Sequence, residues 1–208
     1  MLDIVLNAFV TLFVIIDPIG LTPLFIGLSA GATVAYRRRM ALRGVCFGAG
    51  ILLFFALFGP EFLGLLGIEM SSFRIAGGVM LFLTGLEMVF GKRSTRRNEK
   101  AEEYKDDEDL EDISVFPIAI PFLAGPGSIT SVMLLMEAQA GNIMGQVTVL
   151  SVMIGVLLIS LCLFMLSHRL EKILGQTVSS IFSRILGVLL AALASQYIIE
   201  GLRVAFFS

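Results

Sequence analysis

The chain has 208 residues, of which 57% are hydrophobic and only 15% charged, with a mean hydropathy of +0.93; an ordinary soluble domain is about a quarter charged. So much apolar surface excludes a water-soluble fold and leaves one membrane-embedded unit. The formal net charge of -2 is uninformative by itself, and no nucleic-acid partner is expected; the positions of the charges matter more, because a bilayer confines them to loops and a few interior sites.

A transmembrane helix needs about 20 apolar residues rising about 1.5 Å each. Six runs qualify: Ile4 to Leu28, Leu42 to Leu66, Phe73 to Phe90, Val115 to Met136, Gln146 to Ser167 and Ile185 to Phe206. Each is apolar around its whole circumference, as helices among lipid and other helices are. The first lacks a basic leader and a small-residue cleavage site and is too long for a signal peptide, so it reads as a retained helix. Near its middle stands Asp17, where an exposed charge would cost about 2.5 kcal/mol or more. Asp-Pro is a helix-start signal: the aspartate caps backbone N–H groups and proline at the first position lacks the donor that would go unsatisfied. The first helix is therefore expected to stop near Ile16 and restart at Pro18, with Asn7 an intramembrane polar group that bonds another helix or faces a cavity.

In the second run Gly44-x-x-x-Gly48, and in the third Gly77-Gly78, permit close helix approach. Cys46 and Cys162 lie alone in apolar segments and read as inert packing residues. Glu87 is expected to snorkel to the interface beside Lys92 and Arg93. Residues 92–112 are basic, then densely acidic, and read as a solvated linker. The fourth run contains Gly125-Pro126-Gly127-Ser128, a second break and restart, in which glycine lets the backbone leave helical geometry. His168 falls at the interfacial end of the fifth run. In the sixth, Gln196 is a second intramembrane polar group, and Glu200 with Arg203 reads as a surface pair.

Of the 15 basic residues, all but Arg74 and Arg203 fall in the first, third and fifth connections. Because Lys and Arg in short loops stay on the cytoplasmic side, the expected arrangement is multi-pass in a bacterial inner membrane with both termini periplasmic.

The linker divides the chain into a first three-helix unit (1–91), the linker itself (92–112) and a second three-helix unit (113–208). An odd number of helices per unit means that the second enters the membrane inverted. Pro18-Ile19-Gly20-Leu21-Thr22 aligns with Pro126-Gly127-Ser128-Ile129-Thr130, and Arg74-Ile75-Ala76-Gly77 with Arg184-Ile185-Leu186-Gly187, at nearly equal offsets of 108 and 110 residues. The expected fold is thus an all-α integral membrane protein with six transmembrane helices in two inverted-topology three-helix repeats, helices 1 and 4 being broken. Inverted repeats with Pro/Gly-interrupted helices point to a secondary transporter and to its site.

Each restart leaves free N–H groups and a positive dipole end that suit an anion such as a carboxylate. Unwound backbone in a membrane must be covered by protein or water, so the breaks are expected to line a cavity. Its wall would offer Asp17, Pro18, Gly20 and Thr22 from helix 1 and Gly125, Pro126, Gly127, Ser128 and Thr130 from helix 4. Asp17 would accept from a substrate ammonium, a combination that suits a zwitterion; the alternatives for Asp17 are a helix cap without substrate contact and a titrating proton carrier. One proline kink alone is common membrane architecture. Two at matching positions with an intramembrane aspartate make the stronger case.

The run Asn7 to Phe13 leading into Asp17-Pro18-Ile19-Gly20, together with Phe122-Leu123-Ala124-Gly125-Pro126-Gly127-Ser128-Ile129-Thr130, resembles the MarC family across essentially the whole chain. The resemblance implies six helices in two inverted triplets and transport of small neutral amino acids of glycine or alanine size. It carries the motif positions above over without departure, and leaves the coupling ion (proton or sodium), the direction and any homo-oligomer open. Two other classes compete. One is a membrane scaffold presenting the acidic linker to a partner; the other is a membrane thiol oxidoreductase using Cys46 and Cys162. With no metal-ligand cluster, GxSxG or His-containing triad, the sequence predicts no enzyme and no cofactor.

Overall fold

One left-handed residue divides the first apolar run. Helix α1 (Leu2–Ile16) ends on Asp17, at φ 55° and ψ 63°, and α2 (Pro18–Leu28) starts immediately after it. The computed structural model describes residues 1–29, 32–92, 122–167 and 176–207. Its remaining helices are α3 (Val34–Leu65), α4 (Met70–Val89), α5 (Pro126–Glu137), α6 (Ile143–Met165) and α7 (Gln176–Phe207). With α1 and α2 counted as one interrupted helix, the described residues form an all-helical membrane protein of six helices. Five of these stretches are long and apolar enough to cross a bilayer: Leu2–Leu28, Val34–Leu65, Met70–Val89, Ile143–Met165 and Ser180–Phe207. The remaining one is entered at α5, because the start of the fourth run lies outside the described residues, as do linker residues 93–112, His168, Arg169 and Lys172.

Two helices start earlier than hydropathy alone places them. Thr33 caps α3 by accepting from the Tyr36 N–H at 3.3 Å, so Arg37, Arg38, Arg39 and Arg43 lie on the first turns of the helix rather than in a loop. Helix α7 begins at Gln176, which puts Arg184 on a helix as well. Charged residues end an apolar run but do not end a helix, since Arg is a good helix former.

Small residues hold α4 against α7. A Cβ added at Gly85 would lie 2.9 Å from the Ala191 nitrogen and 2.9 Å from the Gly187 carbonyl oxygen, and one at Gly78 3.0 Å from the Ala194 carbonyl. Gly201 faces the Ser71 carbonyl at 3.0 Å and the Arg74 Cβ at 3.2 Å, while Gly91 faces the Arg184 guanidinium at 3.3 Å. Numbers rise along α4 as they fall along α7, so the pair is antiparallel. Between lipid-bathed helices there is no hydrophobic force to draw them together, and close backbone approach supplies the van der Waals contact instead.

Around this pair, α1 and α3 pack on α6, α3 and α4 pack on α5, and α2 lies against α6 and α7. Helix α5 is the most enclosed: Thr130 through Met136 are buried without interruption, as expected of a helix apolar on every side. Phe47, Phe54, Phe58 and Phe62 of α3 and Val188, Leu189 and Ile199 of α7 stay exposed, a lipid-facing surface that requires a bilayer around it.

Candidate functional site

The first break is built by three residues acting together. Asp17 is 2% exposed, and its Oδ1 accepts from the Gly20 N–H at 3.0 Å, capping α2. The left-handed conformation costs most residues about 1–2 kcal/mol, but aspartate tolerates it because its short side chain bonds locally. Pro18, buried, occupies the first helical position, where its missing donor loses nothing. Gly20 is required because the folded-back carboxylate of Asp17 occupies the space a Cβ would take. The other carboxylate oxygen, Oδ2, accepts from the Ser183 hydroxyl of α7 at 3.1 Å. Two hydrogen bonds, one local and one across 166 residues of chain, thus offset part of the cost of burying this group.

The second break has a different finish. Ala124 and Gly125 leave the helical path, Gly125 takes an extended conformation (φ −75°, ψ 169°), and α5 restarts at Pro126 with no side-chain cap among the described residues. The Ile129 N–H bonds the Gly125 carbonyl at 3.0 Å. The N–H groups of Gly127 and Ser128 are first-turn donors with no acceptor inside the helix. Pro126 is exposed and Gly127 half-buried.

The two breaks adjoin. A Cβ at Gly127 would lie 2.9 Å from Cδ1 of Ile15, two residues before Asp17, and 3.5 Å from Cδ2 of Leu81 on α4. At about 1.5 Å per residue, Ile15 is about 20 Å along α1 from Leu2, and Gly127 about 15 Å along α5 from Glu137; both distances fall inside a hydrocarbon core of about 30 Å.

The other expected site residues take internal roles. The Thr22 hydroxyl donates to the Pro18 carbonyl at 2.8 Å, and the Thr130 methyl fills the space above Gly77. Ser128 is 3% exposed on the first turn of α5. Asn7 accepts from Thr11 at 3.3 Å, and Gln196 donates to Glu200 at 3.1 Å, so both polar groups bond within their own helices. Cys46 and Cys162 are free and exposed. A small cavity beside α2 is lined by Leu21, Leu24, Phe25, Leu28, Phe122 and Phe164 and is apolar.

Two residues escaped the sequence reading. Ser183 precedes the Arg184 motif, but nothing local marks it as the partner of Asp17. Ser131 is fully buried, and its hydroxyl has no partner among the described residues. No metal-binding group of three or more His, Cys, Asp or Glu occurs among the described residues.

Comparison with known proteins agrees with this architecture. The family model described as MarC family integral membrane protein matches residues 2–206. The UPF0056 membrane protein MJ1677 of Methanocaldococcus jannaschii is 36% identical, the match covering 94% of each chain. The UPF0056 membrane protein YvbG of Bacillus subtilis is 32% identical over 99% of this chain and 97% of its own. YhcE of Escherichia coli, also a UPF0056 membrane protein, is 32% identical over 95% and 91%. No solved structure matches. The chain therefore belongs to the MarC family of multi-pass integral membrane proteins.

Proposed function

We propose that the protein is a secondary transporter for small neutral amino acids of glycine or alanine size, working by alternating access around the two adjoining helix breaks. The observation that carries this reading is the contact between Ile15, at the end of α1, and Gly127, at the start of α5. It brings two interrupted helices together within the apolar depth of the bundle, where irregular backbone is tolerated only if it serves a covered or watered site. The buried Asp17 beside it is the kind of intramembrane charge that marks a transport path.

The inverted-repeat reading draws support from reciprocal contacts. In the 110-residue register, Arg74 corresponds to Arg184 and Gly91 to Gly201, and the pairs Arg74–Gly201 and Arg184–Gly91 both occur. The packing of α2 on α6 is likewise matched by that of α5 on α3, and that of α2 on α7 by that of α5 on α4. A pseudo-two-fold axis in the membrane plane generates such exchanges, and rocking one triplet against the other would open the site to each side in turn. Coupling to a proton or sodium ion fits the same scheme.

The test is transport itself. Purified protein in liposomes is expected to exchange labelled glycine or alanine across the membrane, with Ser128→Val slowing exchange at least tenfold while expression stays normal. No exchange of any small neutral amino acid by protein shown to be folded and inserted would contradict the proposal.

A further inference from the structure

The two helix restarts are not equivalent: α2 brings its own anion and α5 does not. Asp17 supplies a carboxylate that bonds the first turn of α2. The residue aligned with it at the 108-residue offset is Gly125, which has no side chain to cap α5, and no side-chain cap is present there among the described residues. The N–H groups of Gly127 and Ser128 are therefore left to something other than the helix. Pro126 and Gly127 are accessible, yet an unsatisfied donor facing hydrocarbon is costly.

A second, independent observation points to a ligand at the same end. Many helix hydroxyls in this protein bond the carbonyl four residues back, as Thr22, Ser29, Thr84, Thr148, Ser151, Ser160 and Ser195 do. Ser131 does not. Its Oγ is buried without a partner among the described residues, a state that normally calls for an explanation. Side chains on a helix lean toward its N-terminus, so Ser131 leans over the Gly127–Ser128 turn, one turn below the uncapped end.

We infer that the first turn of α5 is the carboxylate subsite of the transported amino acid, its donors being the N–H groups of Gly127 and Ser128 and the Ser131 hydroxyl, and that Asp17 is the resident carboxylate closing the corresponding end of α2. The inference rests on the transport reading and divides its site: both oxygens of Asp17 are engaged by the protein itself, through Gly20 and Ser183, so the incoming carboxylate goes to α5 alone. Ile15 and Leu81 lie against Gly127 and have to move aside for it, which favours a ligand with little or no side chain.

The experiment is binding by calorimetry and thermal shift on the purified full-length protein, with glycine, alanine and glycinamide, the last lacking the carboxylate, as probes. Wild type is expected to bind glycine and alanine, and glycinamide at least tenfold more weakly. Gly125→Asp, which supplies α5 with the kind of cap that α2 has, should abolish glycine binding. Ser131→Ala should weaken it about tenfold or more without lowering the melting temperature of the unliganded protein, because the hydroxyl it removes has no protein partner. If Gly125→Asp fails to fold, Ser131→Ala decides. Glycine binding unchanged within twofold in the folded variants, or glycinamide bound as well as glycine, would overturn the subsite while leaving the transport reading intact. Wild type that binds neither glycine nor alanine would overturn both.

Discussion

At the residue scale the first break is a unit of Asp17, Pro18 and Gly20, and the unit makes a prediction with a change of sign. Ordinarily Gly→Ala in a helix gains up to about 1 kcal/mol. Here the added methyl would collide with the Asp17 carboxylate, so Gly20→Ala should destabilise by about 1–2 kcal/mol, the value of a lost cap. In an Asp17→Ala background the collision is gone, and the same substitution should be neutral or stabilising. Thermal melting of the four proteins in detergent measures this coupling; additive losses would contradict it. The location of the break was legible because Asp-Pro carries its chemistry locally. Ser183 was not, because a hydrogen bond spanning 166 residues leaves no local trace. Nor was Ser131: a serine that back-bonds to its own helix and one that does not look identical in sequence.

At the scale of elements, the α4–α7 seam is set by close backbone approach at glycines. Gly85→Leu would drive a side chain into the backbone of Gly187 and Ala191, an overpacking that typically costs about 1–3 kcal/mol. Gly155→Ala on α6, with nothing within 4 Å of the added Cβ, should cost nothing. A loss of folded yield and melting temperature for the first but not the second is the expected result; equal tolerance would show that the seam does not hold the helices together. The long helices α3 and α7 also show why hydropathy underestimates lengths. It detects the segment that lipid surrounds, whereas Thr33 and the arginines beyond it continue the helix past that segment. The glycines of the third run pointed to close packing, but only coordinates reveal that Gly77 meets α5 and Gly78 meets α7.

For the whole molecule, the distribution of basic residues leads to a definite prediction of orientation. In a variant with Cys46 and Cys162 replaced by serine, a cysteine at Leu2 or Phe207 should react with an impermeant maleimide in intact cells. One at Arg38 should react only after the membrane is opened. The reverse pattern would invert the topology drawn from the positive-inside rule.

The central claim is that the end of α1 and the start of α5 meet where substrate passes. Its most direct test places cysteines at Ile15 and Gly127 in the same cysteine-free background and follows glycine exchange in liposomes before oxidation, after oxidation and after reduction. The account predicts exchange by the reduced protein, formation of an Ile15–Gly127 cross-link on oxidation with loss of exchange, and recovery once the disulfide is reduced. Failure of the pair to cross-link, or full exchange by the cross-linked protein, would contradict it.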